Sequence, residues 1–142
     1  MSKTPRPKRK KSVPRASIAR PYNGGQWSTS RFFGFLRSSL RRSSSRWGPV
    51  YQAFAEAETG KKINKASGRL AMHYRCACCA GEFPRKNVAA DHIIPAGSLT
   101  CFEDLPAFAQ RLFVEKEGFQ VLCDDCHQIK TNQERDEKKT RA

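Results

Sequence analysis

Residues 119–131, FQVLCDDCHQIKT, place a short apolar run, a Cys-x-x-Cys pair and a histidine side by side. The apolar run FQVLC predicts a buried strand. The charged stretch after it is rich in helix formers and begins with two aspartates, which are favourable at a helix N-terminus. Cys123 and Cys126 therefore mark the point at which a strand passes into a helix, and His127 follows them directly.

A second Cys-x-x-Cys pair, Cys76 and Cys79, lies upstream of the first. Each pair can bind one metal ion from a tight turn, and two pairs complete a tetrahedral shell of four thiolates. The 43 residues between the pairs exceed the gap of a simple zinc ribbon and leave room for a strand and a helix. The alternative, reduced cysteines that are merely buried, does not explain the paired spacing. The sequence therefore predicts a structural Zn²⁺ bound by Cys76, Cys79, Cys123 and Cys126, which takes part in folding.

The charge of the chain is unevenly distributed. Its 142 residues carry 27 Lys and Arg against 13 Asp and Glu, for a net charge of +14. Residues 1–75 hold 18 basic and 2 acidic side chains, whereas residues 76–142 hold 9 basic and 11 acidic ones. A segment as basic as the first indicates a polyanionic partner, most often nucleic acid.

The N-terminal residues 1–25 contain eight Lys or Arg, four Pro and no acid, so we expect a disordered basic arm. Such an arm can lie along phosphates; its stretch PKRKK also fits a nuclear-targeting patch, and a solubilising tail is the remaining alternative. No run approaches the roughly 18–20 apolar residues of a membrane span, and the N-terminus lacks an apolar signal core. We therefore expect a cytoplasmic protein that is not secreted and has no membrane partner.

Residues 26–69 are predicted to form a basic helical region that holds DNA. The segment 28–47, STSRFFGFLRSSLRRSSSRW, has an apolar stripe at helical spacing. The stripe comprises Phe32, Phe33, Leu36, Leu40 and Trp47. The rest of the helix surface carries Arg31, Arg37, Arg41, Arg42 and Arg46. Because hardly an acid lies nearby, these arginines favour phosphate contact over an ordinary solvated face.

Shorter elements are predicted on either side of the first cysteine pair. GPVYQAFAEAETG predicts a second, short helix with Val50, Tyr51 and Phe54 as its apolar stripe. KKINKASG predicts a flexible basic loop, and RLAMHYRC predicts a strand that enters the cysteine pair. Further on, DLPAFAQRLFVEKEG predicts a helix that ends at Gly118.

The stretch 88–97, VAADHIIPAG, places two ionisable side chains, Asp91 and His92, next to each other on a predicted strand. Burying such groups is costly unless something nearby uses them. Successive strand residues face opposite ways, so one of the two can face a metal ion while the other faces a substrate. The zinc-held turn can bring His127 close to this strand. A surface turn with a salt-bridged carboxylate is the alternative.

ADHIIPAG followed by FQVLCDDCHQIKT resembles the HNH endonuclease motif, in particular that of small phage-encoded HNH proteins with a Cys₄ zinc site. The match covers about half of the chain. Its most specific parts are Asp91-His92-Ile93, Pro95 and Cys123 to Thr131. The resemblance implies an α+β fold: a ββα-metal (His-Me finger) core pinned by the structural zinc. This nuclease module would occupy residues 70–142, after the basic helices and the disordered arm.

The resemblance also implies roles for individual residues. His92 would be the general base, and its unperturbed pKa of about 6.5 suits that task near neutral pH. Asp91 and His127 would hold one catalytic divalent ion, Mg²⁺ or Mn²⁺, against the scissile phosphate. Lys130, one helical turn beyond, can contact phosphate, although a solvated lysine is nearly as good an interpretation. The family's middle asparagine falls at Gly118, which cannot supply a side-chain brace.

The sequence thus predicts a metal-dependent DNA endonuclease that hydrolyses phosphodiester bonds by nicking or by double-strand cleavage. If it is phage-encoded, it would act in the host cytoplasm. A non-catalytic, zinc-structured nucleic-acid-binding protein is one alternative, and an accessory subunit of a phage DNA-processing complex is another. A homodimer is compatible with the sequence, and so is each of three substrates: duplex, branched and single-stranded DNA.

Overall fold

The computed structural model describes residues 18–141, so residues 1–17 of the predicted arm, which was placed at residues 1–25, lie outside the described part of the chain. The helices are α1 (Thr29–Ser44), α2 (Gly48–Ala57), α3 (Leu105–Leu112) and α4 (Asp124–Arg141). The strands are β1 (Glu58–Ile63), β2 (Leu70–Arg75), β3 (Glu82–Pro84), β4 (Val88–His92) and β5 (Phe119–Cys123). Helices and small sheets are thus mixed along the chain, which confirms the predicted α+β class.

Helix α1 begins and ends at serines. The Ser28 hydroxyl accepts the backbone N–H of Arg31 at 3.2 Å and so caps the first turn. At the other end, the hydroxyls of Ser44 and Ser45 each donate to a carbonyl three residues back at 2.7 Å. Such bonds compete with the helical ladder, so the helix stops within the serine run.

An apolar cluster joins α1 to α3. Its buried members are Phe33, Ala96, Leu99, Phe108 and Leu112. Phe32, Leu36 and Leu40 pack against this cluster, as the predicted stripe requires. Trp47, which was predicted for the same face, lies beyond the end of α1 and packs with α2 instead.

A short turn precedes α1, within the last part of the predicted arm. Tyr22 and Trp27 form an isolated β-bridge, and the Tyr22 ring stacks on Phe32 with centroids 4.2 Å apart. The Trp27 ring lies 5.1 Å from the Phe35 ring between centroids, so both ends of this turn pack onto α1.

Strands β1, β2 and β3 form an antiparallel sheet in that order. The stretch KKINKASG, predicted as a flexible loop, instead contributes the end of β1 and a tight turn, with Ile63 opposite Leu70. Asn64 organises that turn. Its backbone N–H donates to the Arg69 carbonyl at 2.8 Å, and its side-chain oxygen accepts the N–H of Ala66 at 3.0 Å.

Strands β4 and β5 form a second, two-stranded antiparallel sheet in which Asp91 lies opposite Gln120 and His92 lies opposite Phe119. One face of this sheet packs on α2. The buried residues there are Val50, Ala53, Phe54, Val88, Phe119 and Val121. Tyr51, which was predicted to join them, is exposed. Helix α4 starts immediately after β5 and contacts both strands.

Helix α3 ends at Leu112, earlier than the sequence predicted, and Gly118 ends a separate 3-10 turn rather than capping the helix. Side-chain donors from distant parts of the chain meet the carbonyls at this end. His92 Nε2 donates to the Leu112 carbonyl at 2.8 Å, and Trp47 Nε1 donates to the Val114 carbonyl at 2.6 Å. Among the helices of residues 18–141, none has the length and apolar character needed to cross a membrane.

Candidate functional site

The sulfurs of Cys76, Cys79, Cys123 and Cys126 form one cluster, with all four atoms within 4.8 Å of one another. The Cys79 and Cys123 sulfurs are 3.9 Å apart. A tetrahedral Zn²⁺ with Zn–S bonds of about 2.3 Å holds its sulfurs about 3.8 Å apart. The cluster is therefore a plausible zinc-binding arrangement, and it contains the four cysteines that the sequence predicted. The exposed Cys78 lies outside it.

Backbone hydrogen bonds shape the first cysteine turn and tie it to the second. The N–H of Cys76 donates to the Gly81 carbonyl at 2.8 Å, which closes the turn. A Cβ at Gly81 would lie 2.8 Å from the Phe83 ring, so a larger residue there would require the ring to move. The N–H of Ala77 donates to the Val121 carbonyl on β5 at 2.8 Å. The two cysteine pairs are thus held together by main chain as well as by any ion they bind.

The thiols of this cluster do not ionise independently. Burial opposes ionisation of Cys76, but backbone hydrogen bonds from Cys123, Cys79 and Cys78 outweigh it and lower the Cys76 pKa to about 6. The hydrogen bond with Cys123, together with burial, raises the pKa of Cys126 well above its usual range. One thiolate therefore forms readily while a neighbour keeps its proton. A divalent cation supplies the charge that allows all four to ionise.

Asp91 and His127 meet in the space between β4 and α4. Asp91 Oδ1 lies 3.7 Å from His127 Nε2, and the two side chains are 13% and 41% exposed. Two ligand atoms bound to one ion at about 2.0–2.2 Å, at angles between a right angle and the tetrahedral angle, lie about 2.8–3.6 Å apart. The pair can therefore offer an oxygen and a nitrogen to one divalent cation with little movement, on a side open to solvent.

The second oxygen of Asp91 is held by two donors. Asp91 Oδ2 accepts from Gln120 Nε2 at 3.1 Å and from Lys130 Nζ at 2.9 Å. Lys130 also donates to the His92 carbonyl at 3.0 Å and pairs with Glu134. Burial works against the Lys130 ammonium, but the two carboxylates outweigh it and raise its pKa, so the charge is kept. These contacts leave Oδ1 turned toward the histidine.

The ammonium of Lys130, which was predicted to contact phosphate, is therefore engaged by carboxylates in this structure. Gln120 did not figure in the sequence prediction at all. Its one signal is that it interrupts the apolar run FQVLC, and only the pairing of β4 with β5 shows that it faces Asp91.

The His92 side chain points to the other face of β4, the one that packs on α2. Its ring lies 4.7 Å from the Phe119 ring and lines a cavity of about 270 Å³ together with Arg85. Because a carbonyl can only accept, the hydrogen bond to Leu112 assigns the proton of the neutral ring to Nε2 and leaves the lone pair on Nδ1. Within residues 18–141, no hydrogen bond joins this side chain to Asp91 or His127.

Main-chain hydrogen bonds surround Gly118, the position at which the resemblance to the HNH motif would place an asparagine. The Gly118 carbonyl accepts the N–H of Ile93, just beyond β4, at 3.0 Å, and the Gly118 N–H donates to the Glu115 carbonyl at 2.9 Å. A Cβ at this position would lie 2.5 Å from Val114 Cγ2. No larger side chain fits unless Val114 moves, so the brace between this turn and β4 is a main-chain one.

Four of the five predicted arginines lie on α1, and the fifth, Arg46, lies just beyond its C-terminal end. Arg31, Arg41, Arg42 and Arg46 are exposed and Arg37 is half-buried. Arg31 lies over the Trp27 ring and Arg41 over the Phe108 ring, at 4.8 and 5.7 Å from the ring centroids. Among the salt bridges of the described chain, none involves an α1 arginine. Their charges therefore remain available to an anionic partner.

Comparison of the chain with protein-family models, with curated proteins and with solved structures gave no match. The resemblance of ADHIIPAG and FQVLCDDCHQIKT to the HNH motif therefore stands on those residues alone. The geometry around Asp91, His92 and His127 is the independent source of functional information.

Proposed function

We propose that the protein is a metal-dependent endonuclease of the HNH type, which hydrolyses phosphodiester bonds in DNA. The observation that supports this most directly is the 3.7 Å between Asp91 Oδ1 and His127 Nε2. An oxygen and a nitrogen donor this close can bind one divalent cation once the two atoms move slightly nearer to each other, and we propose Mg²⁺ or Mn²⁺ as that cation. The helix that carries His127 begins within the cysteine cluster, so a structural zinc there supports the pair.

The chain's own residues have separate tasks in this proposal. Asp91 and His127 bind the cation, which when bound stabilises charge that develops on the phosphate. Gln120 and Lys130 hold the second oxygen of Asp91 and so orient the first one. His92 accepts the proton of the attacking water at Nδ1 while one P–O bond of the phosphodiester breaks.

The opposite orientations of Asp91 and His92 place a condition on the substrate. Strand β4 ends at His92, and the chain leaves the sheet at Ile93. A phosphate that lies across this strand end can meet side chains from both faces. We therefore expect the scissile phosphate at the end of β4, with the α1 arginines binding phosphates further along the backbone.

The cysteine cluster has a structural role in this proposal. Four protein sulfurs around one Zn²⁺ leave no open coordination position for water or substrate, which is the pattern of structural rather than catalytic zinc. The zinc would fix the junction between β5 and α4, from which His127 projects.

A non-catalytic, zinc-structured nucleic-acid-binding protein is the second candidate. Specific contacts favour it: the Lys130 ammonium already neutralises Asp91, and His92 already caps the end of α3. Asp91 and His92 thus both have structural partners already. This candidate predicts salt-dependent nucleic-acid binding without cleavage in any divalent ion.

Plasmid cleavage by the zinc-loaded chain in Mg²⁺ or Mn²⁺ tests the proposal. We expect nicking by the unaltered chain and a loss of at least about 10²-fold in Asp91→Asn, because the amide is a poor ligand for a hard cation. Asp136→Asn is the matched control, since it removes the same charge from an exposed position on α4. Zinc content and DNA affinity should be alike in all three proteins.

Two outcomes separate the candidates. Cleavage that is lost only in Asp91→Asn supports the endonuclease. Tight DNA binding with no cleavage of linear, nicked or branched substrates by the unaltered chain favours the non-catalytic protein.

A further inference from the structure

We propose that the hairpin formed by β1 and β2 is a second DNA-binding element. It would enter the major groove of a duplex with the apolar pair Ile63 and Leu70, which lies near the tip of the hairpin. The proposal rests on the proposed function only in taking DNA as the partner. It does not require that the chain cleave DNA.

The apolar pair is Ile63 and Leu70. These residues lie directly opposite each other at the end of the β1–β2 ladder. They are 61% and 63% exposed, although aliphatic side chains gain free energy when they are removed from water. Two such groups side by side form a small apolar patch that is available to a partner.

The charge around this pair identifies the chemistry of that partner. Residues 59–75 contain five Lys or Arg and no Asp or Glu. Lys61, Lys65 and Arg69 are exposed around the apolar pair. Lys62 instead pairs with Glu82 on β3 and anchors the hairpin to its sheet. An apolar centre surrounded by cations fits a groove with phosphates at its edges and base edges inside.

The hairpin is rigid enough to enter a groove without first becoming ordered. In addition to the bonds to Arg69 and Ala66, the Asn64 carbonyl accepts the N–H of Gly68 at 2.7 Å. Gly68 has φ +70°, a conformation that favours glycine. A preformed tip loses little conformational entropy on binding.

The dimensions and chemistry of the major groove select it over the minor groove. The major groove admits a two-stranded β-ribbon, whereas the minor groove is about half as wide. It also exposes the C5-methyl group of thymine, which aliphatic side chains contact. Ile63 and Leu70 form the last pair of the ladder, next to the turn at residues 64–69, and their aliphatic side chains would contact such methyl groups.

Binding of the full, zinc-loaded chain to a short A·T-containing duplex tests this placement. Titrations without added Mg²⁺ or Mn²⁺ measure affinity in the absence of cleavage, so that a failure of the proposed function is seen separately. Ile63→Ser with Leu70→Ser should weaken binding about tenfold at every salt concentration, because it removes apolar contact. Tyr51→Ser, at a site 59% exposed on α2, is the control and should bind like the unaltered chain.

Two further measurements address the charges and the groove. Lys65→Gln with Arg69→Gln should reduce the slope of log affinity against log salt by about two, because each cation removed leaves one phosphate with its counterions. Replacing thymine by uracil removes the C5-methyl groups and should weaken binding of the unaltered chain severalfold. The same replacement should leave the Ile63→Ser, Leu70→Ser protein unaffected.

The proposal is overturned if both double variants bind the duplex as the unaltered chain does, with circular dichroism and melting unchanged. Equal sensitivity to uracil in the unaltered chain and the serine variant would also overturn the placement in the major groove. A change from dimer to monomer in the serine variant, at unchanged DNA affinity, would assign the apolar pair to contact between two copies of the chain instead.

Discussion

His92 makes a structural contact and is also the proposed general base, and two substitutions separate these roles. Its Nε2 donates to the Leu112 carbonyl at 2.8 Å, whereas general-base catalysis needs the lone pair on Nδ1. In His92→Gln the amide nitrogen lies near the position of Nε2 and can donate the same hydrogen bond, but the amide accepts no proton at neutral pH. His92→Ala removes both functions.

The loss of folding stability expected in His92→Ala can be estimated from the contacts of the imidazole ring. Removing the imidazole leaves the Leu112 carbonyl without this donor, at a cost of about 1–3 kcal/mol. It also removes the ring contact with Phe119, at 4.7 Å between centroids, for about 0.5–1.5 kcal/mol more. His92→Ala should therefore lower the free energy of unfolding by about 2–4 kcal/mol, and His92→Gln by about 1 kcal/mol.

Urea unfolding followed by circular dichroism, and plasmid nicking in Mn²⁺, measure the two parts separately. Both variants should lose about 10²–10⁴-fold in cleavage rate. Only His92→Ala should shift the urea unfolding midpoint strongly. Nicking at the unaltered rate by His92→Gln would show that the imidazole is not the base. An unchanged midpoint in His92→Ala would refute the proposed capping of α3.

Other expected outcomes follow from the neighbouring contacts. Cys79→Ser should abolish binding of one zinc per chain and with it much of the helical circular dichroism signal. The control Cys78→Ser should keep both the zinc and the helical signal. Zinc retained by Cys79→Ser would refute the ligand assignment. Gly118→Ala should cost about 1–3 kcal/mol in urea unfolding, because its Cβ would lie 2.5 Å from Val114 Cγ2. Adding Val114→Ala should recover part of that loss, and a double variant that shows simple additivity would contradict the clash. Gln120→Met should weaken Mn²⁺ binding about 10–100-fold in an electron paramagnetic resonance titration, because it removes a hydrogen bond to Asp91 Oδ2. Unchanged Mn²⁺ affinity would count against an orienting role for Gln120.

Local patterns in the sequence were enough to predict much of the fold. The run FQVLC became β5 and the charged segment after it became α4, because periodicity and the aspartates at the helix start are short-range signals. The cysteine cluster followed from spacing alone, because two Cys-x-x-Cys turns have few other uses.

Features that depend on interactions between distant segments were not predictable in this way. The early end of α3 depends on donors from His92 and Trp47, which are far from it in sequence. The contacts of Asp91 with Gln120 and Lys130 depend on the register of β4 and β5 and on the docking of α4. The rigid turn at Asn64 differs from the predicted loop because one asparagine side chain orders a basic, glycine-containing stretch whose composition is typical of flexible segments.

The main-chain brace at Gly118 has a consequence for mutational robustness. A hydrogen bond between the Gly118 carbonyl and the Ile93 N–H survives any change of side chain at either residue that leaves the backbone in place. Proline at position 93 is the exception, since it has no N–H to donate. Sequence drift at position 118 should therefore be constrained by the space beside Val114 rather than by the chemistry of the side chain.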